Sequence, residues 1–165
     1  MLYQAYKKIK AQLMAELPNV KYIDWFNDQY SGTIHTAPAI FVEFPTPLNL
    51  KTLRENFQEA PFSVRIHAVT KAHADQKKTI HDNKLQEHDI LVEDVYKAMQ
   101  RFHCNYDDGK KLFTSLNRFN LTHHQYIKGW LMTTQDFSSL IYQHSVEVEG
   151  TVSAIEVAGN VKYEF

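Results

Sequence analysis

The chain has 165 residues, of which 44% are apolar, 22% charged and 13% aromatic; its net charge is −1 and its pI about 6.7. That length sustains a core without disulfides or metals, and five glycines and five prolines exclude a low-complexity or disordered chain. Near-neutral charge, with the basic pairs Lys7-Lys8, Lys77-Lys78 and Lys110-Lys111 scattered, leaves no footprint for non-specific nucleic-acid binding.

Leu2, Tyr6, Ile9, Leu13 and Leu17 recur at helical spacing with Lys7, Lys8 and Lys10 off the stripe, so residues 2–17 are expected to form an amphipathic helix ending at Pro18-Asn19. The opening MLYQAYKKIK mixes lysines with apolar positions, unlike a signal peptide. No apolar run approaches the roughly 18 residues of a membrane span. A soluble protein made in the cytoplasm is expected. The single cysteine, Cys104, excludes an intrachain disulfide and fits a reducing compartment.

Residues 20–26, VKYIDWF, have the β-branched and aromatic content of a strand, and 39–44, AIFVEF, is a second strand bracketed by Pro38, Pro45 and Pro47. The stretch YIDWFNDQY sets Asp24 and Asp28 among aromatic rings. It reads either as an acid/base or sugar-binding site, or as a strand end turning through a polar loop. Nothing sets the two carboxylates at the separation glycosidase chemistry needs. The simpler reading puts Asp24 on the wet side of the strand, with Asn27 and Asp28 shaping the turn through side chain to backbone hydrogen bonds. Strand alternation puts Trp25 and Phe26 on opposite faces.

Residues 48–60 suggest a short helix through Leu50, Leu53 and Phe57. In 62–70, Phe62, Val64, Ile66 and Ala68 share one face and Ser63, Arg65 and His67 the other, the mark of a half-buried strand. The polar run 71–89 reads as an exposed loop with a frayed helical turn. A second helix follows on the stripe Leu91, Val95, Ala98, Met99 and Phe102, with Asp89 as N-cap. Asp107-Asp108-Gly109 forms a turn. The chain then reads as β in three stretches, LNRFNLTHHQYI, KGWLMTTQDF and SLIYQHSVEVEGTV, the last with Leu140, Tyr142, His144, Val146 and Val148 on its apolar face.

The C-terminus, SAIEVAGNVKYEF, is expected to form a hairpin through the three-residue loop Ala158-Gly159-Asn160. That register sets Val157 against Val161, Ile155 against Tyr163 and Glu156 against Lys162, which keeps each face uniform. At the chain end, such a hairpin could project to a neighbouring subunit. The order α, β, β, β, α, then several β, predicts an α+β fold: a mostly antiparallel sheet, an N-terminal and a central helix packed on it, and a C-terminal β-hairpin. Residues 1–150 are read as one domain, and 151–165 as a hairpin extension of it.

The nine histidines raise a metal reading. His81 and His88, on one helix, would lie about 10 Å apart along its axis, too far for two nitrogens each within about 2.1 Å of one zinc. His123 and His124 are adjacent and would point to opposite faces of a strand. His67, His73 and Asp75 form the best remaining cluster, and it matches no ligand pattern. His144, on the apolar face of its strand, is read as a hydrogen-bonded core histidine. No G-x-S-x-G elbow or glycine-rich phosphate loop is present, and Cys104 next to His103 lacks a catalytic context. No metal, cofactor or catalytic residue is assigned, and the expectation is a protein that is not an enzyme.

The leading helix with VKYIDWFNDQ, then APAIFVEF and FSVRIHAVT, and after the second helix LFTSLNRFNLTHH and SSLIYQHSVEVEG, resembles the tail terminator and tail completion proteins of long-tailed bacteriophages and prophages. The resemblance covers residues 1–150. It implies a small α+β subunit assembling into a homo-oligomeric ring, usually a hexamer, that caps the tail tube and joins it to the head. Its partners would be tail tube and head-tail connector proteins, with no sequence-specific nucleic acid and no membrane. Its place would be the virion tail, after assembly in the host bacterial cytoplasm.

Candidate interface residues are Trp25, Phe26 and Tyr30 in the aromatic loop, His73 and His81 in the polar arm, and Ile155, Val157, Tyr163 and Phe165 in the terminal hairpin, since aromatic residues are enriched at interface cores. A head-tail connector or neck subunit is the alternative assembly reading. A metal-dependent hydrolase or nuclease using His67, His73 and Asp75 belongs to another class. So does a carbohydrate- or peptide-binding module stacking ligands on Tyr22, Trp25 and Tyr30.

Overall fold

The computed structural model describes residues 1–29, 36–72, 79–127 and 129–144, with the backbone alone for 123–127. Helix α1 (Leu2–Glu16) comes first, then β1 (Tyr22–Trp25), β2 (Ala39–Glu43), β3 (Lys51–Arg54) and β4 (Phe57–Lys71). Helix α2 (Asp82–Met99) follows, and β5 (Cys104–Asn105), β6 (Lys111–Phe113), β7 (Asn117–Ile127) and β8 (Trp130–His144) complete the order. The strands make one sheet in the order β1-β2-β4-β8-β6-β5, with β3 added to β4 and β7 added to β8. Every pair is antiparallel except β1 with β2. The fold is α+β with a mostly antiparallel sheet, as the order of elements predicted.

The spine of the molecule is the β4–β8 pair, in register over the full length of both strands from Phe57↔His144 to Lys71↔Trp130. On one face of that pair Ala60, Phe62, Val64, Ile66 and Ala68 meet Phe137 and Ile141, all essentially inaccessible. Both helices pack there: Ala5, Ile9 and Leu13 from α1, and Val95, Ala98 and Met99 from α2, join the same core as Ile40 and Val42. Each fully buried aliphatic side chain contributes about 1.5–3 kcal/mol, so this layer holds the domain together. The other sheet face has no helix over it among the described residues.

Four expectations change. Residues 48–60 form the β3–β4 hairpin, not a helix: β4 runs on to Phe57 to pair with the end of β8, and Leu50 and Leu53 stay exposed, with no face to bury. Within the polar run 71–89 the residues from 82 on are helix, not loop, because α2 begins at Asp82; His81 holds the N-cap position, and Asp89 lies exposed in mid-helix. Its first turns are polar because they face solvent, with Lys84 and Glu87 paired at 2.7 Å. The last two β stretches are one continuous strand, β8. The inward face of β8 is the opposite of the one expected: Phe137, Ser139 and Ile141 point to the helices, while Leu140, Tyr142 and His144 lie on the open face. The expected hairpin at 151–165 lies outside the described residues.

The turn at Asp107-Asp108-Gly109 closes the β5–β6 hairpin, where the Asp108 carboxylate accepts from the Lys110 N–H at 3.0 Å. Gly129 links β7 to β8 at φ +89°, with the Ala72 carbonyl 3.6 Å from where a Cβ would stand. Space is adequate there, so Gly129→Ala is expected to cost only the left-handed backbone penalty of about 1–2 kcal/mol. In a thermal melt that is a Tm drop of about 2–8 °C.

Candidate functional site

The open sheet face is built by the residues that alternate with the core. Register brings four of them into a row across four strands: Glu43 opposite Arg65, Arg65 opposite Asp136, and Asp136 opposite Asn120. Arg65 Nε donates to Asp136 Oδ1 at 2.7 Å and Nη2 to Oδ2 at 3.4 Å, a two-pronged contact. Asn120 Nδ2 donates to the second Asp136 oxygen at 2.9 Å. Arg65 Nη1 also lies 3.5 Å from Glu43 Oε2, which His67 Nε2 approaches at 2.9 Å. Cross-strand opposite charges in register stabilise a sheet.

Burial opposes the charge on Asp136, but the bonds from Arg65 and Asn120 outweigh it and hold the carboxyl below its ordinary value of 3.8. Burial lowers His67 below 6.5, with the Arg65 charge beside it acting the same way, against the pull of Glu43. The ring of Phe26 stacks on His67 at 4.3 Å between centroids, nearly parallel. Around that stack Ala39, Phe41, Val69 and Met132 form a second, smaller apolar cluster with Phe26 and Trp130.

At the β1 edge the aspartate of YIDWFNDQY serves structure. Asp24 accepts from Tyr22 Oη at 2.8 Å, from the Trp25 N–H at 2.8 Å and from Tyr6 Oη at 3.1 Å. Burial would raise its carboxyl, and these bonds more than reverse that. Tyr6 is itself pushed up to about 12, by burial first and then by Asp24. Gln29 helps to shape the turn: its side chain accepts from the Asn27 N–H at 2.6 Å and donates to the Trp25 carbonyl at 2.7 Å. Asp28 holds φ +53°.

Trp25 and Phe26 part to opposite sides, as alternation requires. Trp25 packs between Tyr6 and Phe44, at 5.3 and 5.0 Å, and remains 36% exposed. Tyr22 meets Phe41 edge-on at 6.0 Å. Tyr22 and Trp25 therefore form no coplanar stacking platform. His81 is exposed at the head of α2. Tyr30, His73, Asp75, Ile155, Val157, Tyr163 and Phe165 lie outside the described residues.

Among the described residues no three His, Cys, Asp or Glu side chains group to hold a metal ion, and no helix is long and apolar enough to cross a membrane. His88 is buried, its ring nitrogens 2.7 Å from Thr70 Oγ1 and 2.9 Å from Thr133 Oγ1, so it ties α2 to β4 and β8. His144 is only half-buried, on the open face, with Nε2 3.2 Å from the Lys111 carbonyl. Burial pushes the Cys104 thiol up to about 12. Since the thiolate is the reactive form, Cys104 is expected to label with a disulfide reagent at mildly alkaline pH far more slowly than free cysteine does, and at full rate after denaturation.

The longest free edge is β7. It pairs with β8 on one side alone among the described residues, and its Phe119 is 61% and its Leu121 44% exposed. Arg118 pins this strand inward: its guanidinium lies 3.9 Å from the centroid of the Tyr96 ring, and Nη1 donates to Gln135 Oε1 at 3.0 Å. Gln135, fully buried, in turn donates to the Val92 carbonyl of α2 at 2.7 Å. The sequence reading missed Glu43, Arg65, Asp136 and Asn120 as a set, and Phe119 and Leu121 as an edge. The available signal was the run Thr133-Thr134-Gln135-Asp136, four polar residues inside a strand.

No family model matches the chain, and no curated protein matches it. Among solved structures it is similar to a chain from the virion of a native gene transfer agent particle, with 11% identity and a TM-score of 0.48, over 81% of this chain and 91% of that one.

Proposed function

We propose that the chain is a structural subunit of a phage-type virion, of the tail terminator kind, which closes into a ring on the end of a tail tube and there meets the head-tail connector. It acts by docking and catalyses no reaction. The resemblance carried by VKYIDWFNDQ, APAIFVEF, FSVRIHAVT and LFTSLNRFNLTHH supports the class of protein. The free β7 edge is the single structural observation that carries the mode of action.

Unpaired strand edges are templates for pairing with another chain, and a long one bearing apolar side chains is a docking surface. The sheet also offers a second edge on the far side, β1, where Tyr22 is 41% and Trp25 36% exposed. The strand directions suit each other. β1 runs with β2, against β4 and with β8, whereas β7 runs against β8. In copies oriented alike, β7 of one would meet β1 of the next antiparallel. Two different surfaces joined head to tail close into a ring when the rotation per copy permits.

Sedimentation velocity on the full chain, with electron microscopy of the chain mixed with polymerised tail tubes, tests this reading. Rings in solution or at tube ends are expected. A protein that stays monomeric at every concentration and ignores tubes overturns it.

A further inference from the structure

One row of cross-strand partners runs from β1 to β7 on the helix side of the sheet. Trp25 lies opposite Val42, Val42 opposite Ile66, Ile66 opposite Gln135, and Gln135 opposite Leu121. Partners directly opposite share a face: Trp25 meets Tyr6 of α1, and Gln135 donates to the Val92 carbonyl of α2. The row therefore ends in an exposed apolar side chain at each edge, Trp25 on β1 and Leu121 on β7.

The helix flanks beside those two ends differ in charge. On α1, Tyr3, Lys7, Lys10 and Met14 recur at helical spacing and share the side of Tyr6 that borders β1. Tyr3 and Met14 are 65% and 59% exposed, and neither lysine makes an ion pair among the described residues. On α2, Asp89 and Glu93 share a side with Tyr96, whose ring receives the Arg118 guanidinium of β7. Both carboxylates are exposed. Glu93 pairs with Lys97 at 2.9 Å, a contact between solvated groups that holds little energy.

We propose that the α2 flank of one copy docks on the α1 flank of the next, Asp89 facing Lys10 and Glu93 facing Lys7, with Leu121 seated against Trp25. The inference rests on the β7-to-β1 ring reading and adds a helix layer to it. A sheet extended through β7 onto the next β1 keeps its helices on one side, so α2 and the next α1 become neighbours. Val92 and Tyr6 both touch the register row, which sets residues 89–93 of α2 level with 6–10 of α1. Gln12 reaches the Ala98 carbonyl while Leu17 lines a groove with Leu91, so the two helices run antiparallel and the charges pair in that order. Since α1 packs on β1 and α2 on β4, the facing helices stand three strand spacings, about 14 Å, apart. Helices in direct contact stand about 8–10 Å apart. Long charged side chains span the wider gap, where short apolar ones do not.

The test uses two charge-reversed full chains, K7E/K10E and D89K/E93K. Alone, each sets like charges across every interface, so its association in sedimentation velocity should weaken at least about tenfold against wild type. Mixed one to one, the new glutamates of the first meet the new lysines of the second, and the native charges meet at the alternate interfaces. Alternating rings should then form with an affinity within about threefold of wild type, a rescue that misfolded chains cannot give. K7Q, which changes one exposed side chain, supplies a second readout: association about threefold weaker, with the difference shrinking in high salt. Wild-type affinity in both reversed chains and K7Q, or a mixture no better than its parts, overturns the helix pairing while the rings of the native chain still stand. A native chain that does not associate removes the ring reading, and this inference with it.

Discussion

Replacing Asp136 with alanine will lower stability by about 3 kcal/mol, the largest single-residue effect expected on the open face. The carboxylate is nearly inaccessible and receives Arg65 in two bonds and Asn120 in a third. Without it Arg65 keeps only the longer approach to Glu43, at 3.5 Å. The Arg65 side chain remains 35% exposed, so water recovers part of the loss, and the figure falls at the low end for a broken buried pair. A thermal melt should register a Tm drop of about 6–12 °C.

The pH dependence separates charge from packing. Asp136 has a folded pKa held below 3.8, so its contribution is fully present above 3.8 and lost as pH falls through the folded value. The gap between wild type and D136N should therefore be widest at neutral pH and shrink in strong acid. His67 adds an earlier window. Its folded pKa is lowered from 6.5, so the unfolded chain takes the proton first, and stability starts to fall as pH drops below 6.5. A gap that stays constant from neutral to acid pH would mean that the aspartate acts through shape alone.

Charging the free edge is expected to abolish assembly while sparing the fold. In the double variant F119D/L121K the altered positions are 61% and 44% exposed, so its Tm should match wild type within about 4 °C. Loss of an aromatic anchor from an interface costs about 2 kcal/mol, so association should weaken about 30-fold at least, read by sedimentation velocity. W25A tests the opposite edge. It removes contacts to Tyr6 and Phe44 as well, so some stability is lost with it. In a head-to-tail ring each variant retains one good surface, and mixing the two should give dimers that grow no further. Rings of normal yield from F119D/L121K would remove β7 from the interface.

Much of the architecture is written locally. The stripe Tyr6, Ile9, Leu13 and Leu17 specifies α1, and Phe62, Val64, Ile66 and Ala68 specify the inward face of β4, because helix and strand periods decide which side chains can be buried together. The α+β order and the parting of Trp25 from Phe26 follow from the same rule. Helical spacing at Leu50, Leu53 and Phe57 misleads because three apolar residues satisfy that period by chance, and pairing with β8 outweighs any local preference. The polar start of α2 misleads in the other direction. A helix in a two-layer fold needs only one buried stripe, and His88, which supplies part of it, is satisfied by two threonines distant in sequence.

What the amino-acid order determined alone is the kind of element at most places, residues 48–60 and the first turns of α2 excepted, and, for α1 and β4, which side faces inward. Tertiary structure decided the rest, because register is a relation between segments far apart along the chain. The in-register β4–β8 pair chose the inward side of β8 and placed Arg65 opposite Asp136, while the pairing of β7 with β8 left its outer edge unpaired among the described residues. Shifting the β4–β8 pairing by one residue would turn β8 over and part Arg65 from Asp136 without changing a single letter of the sequence.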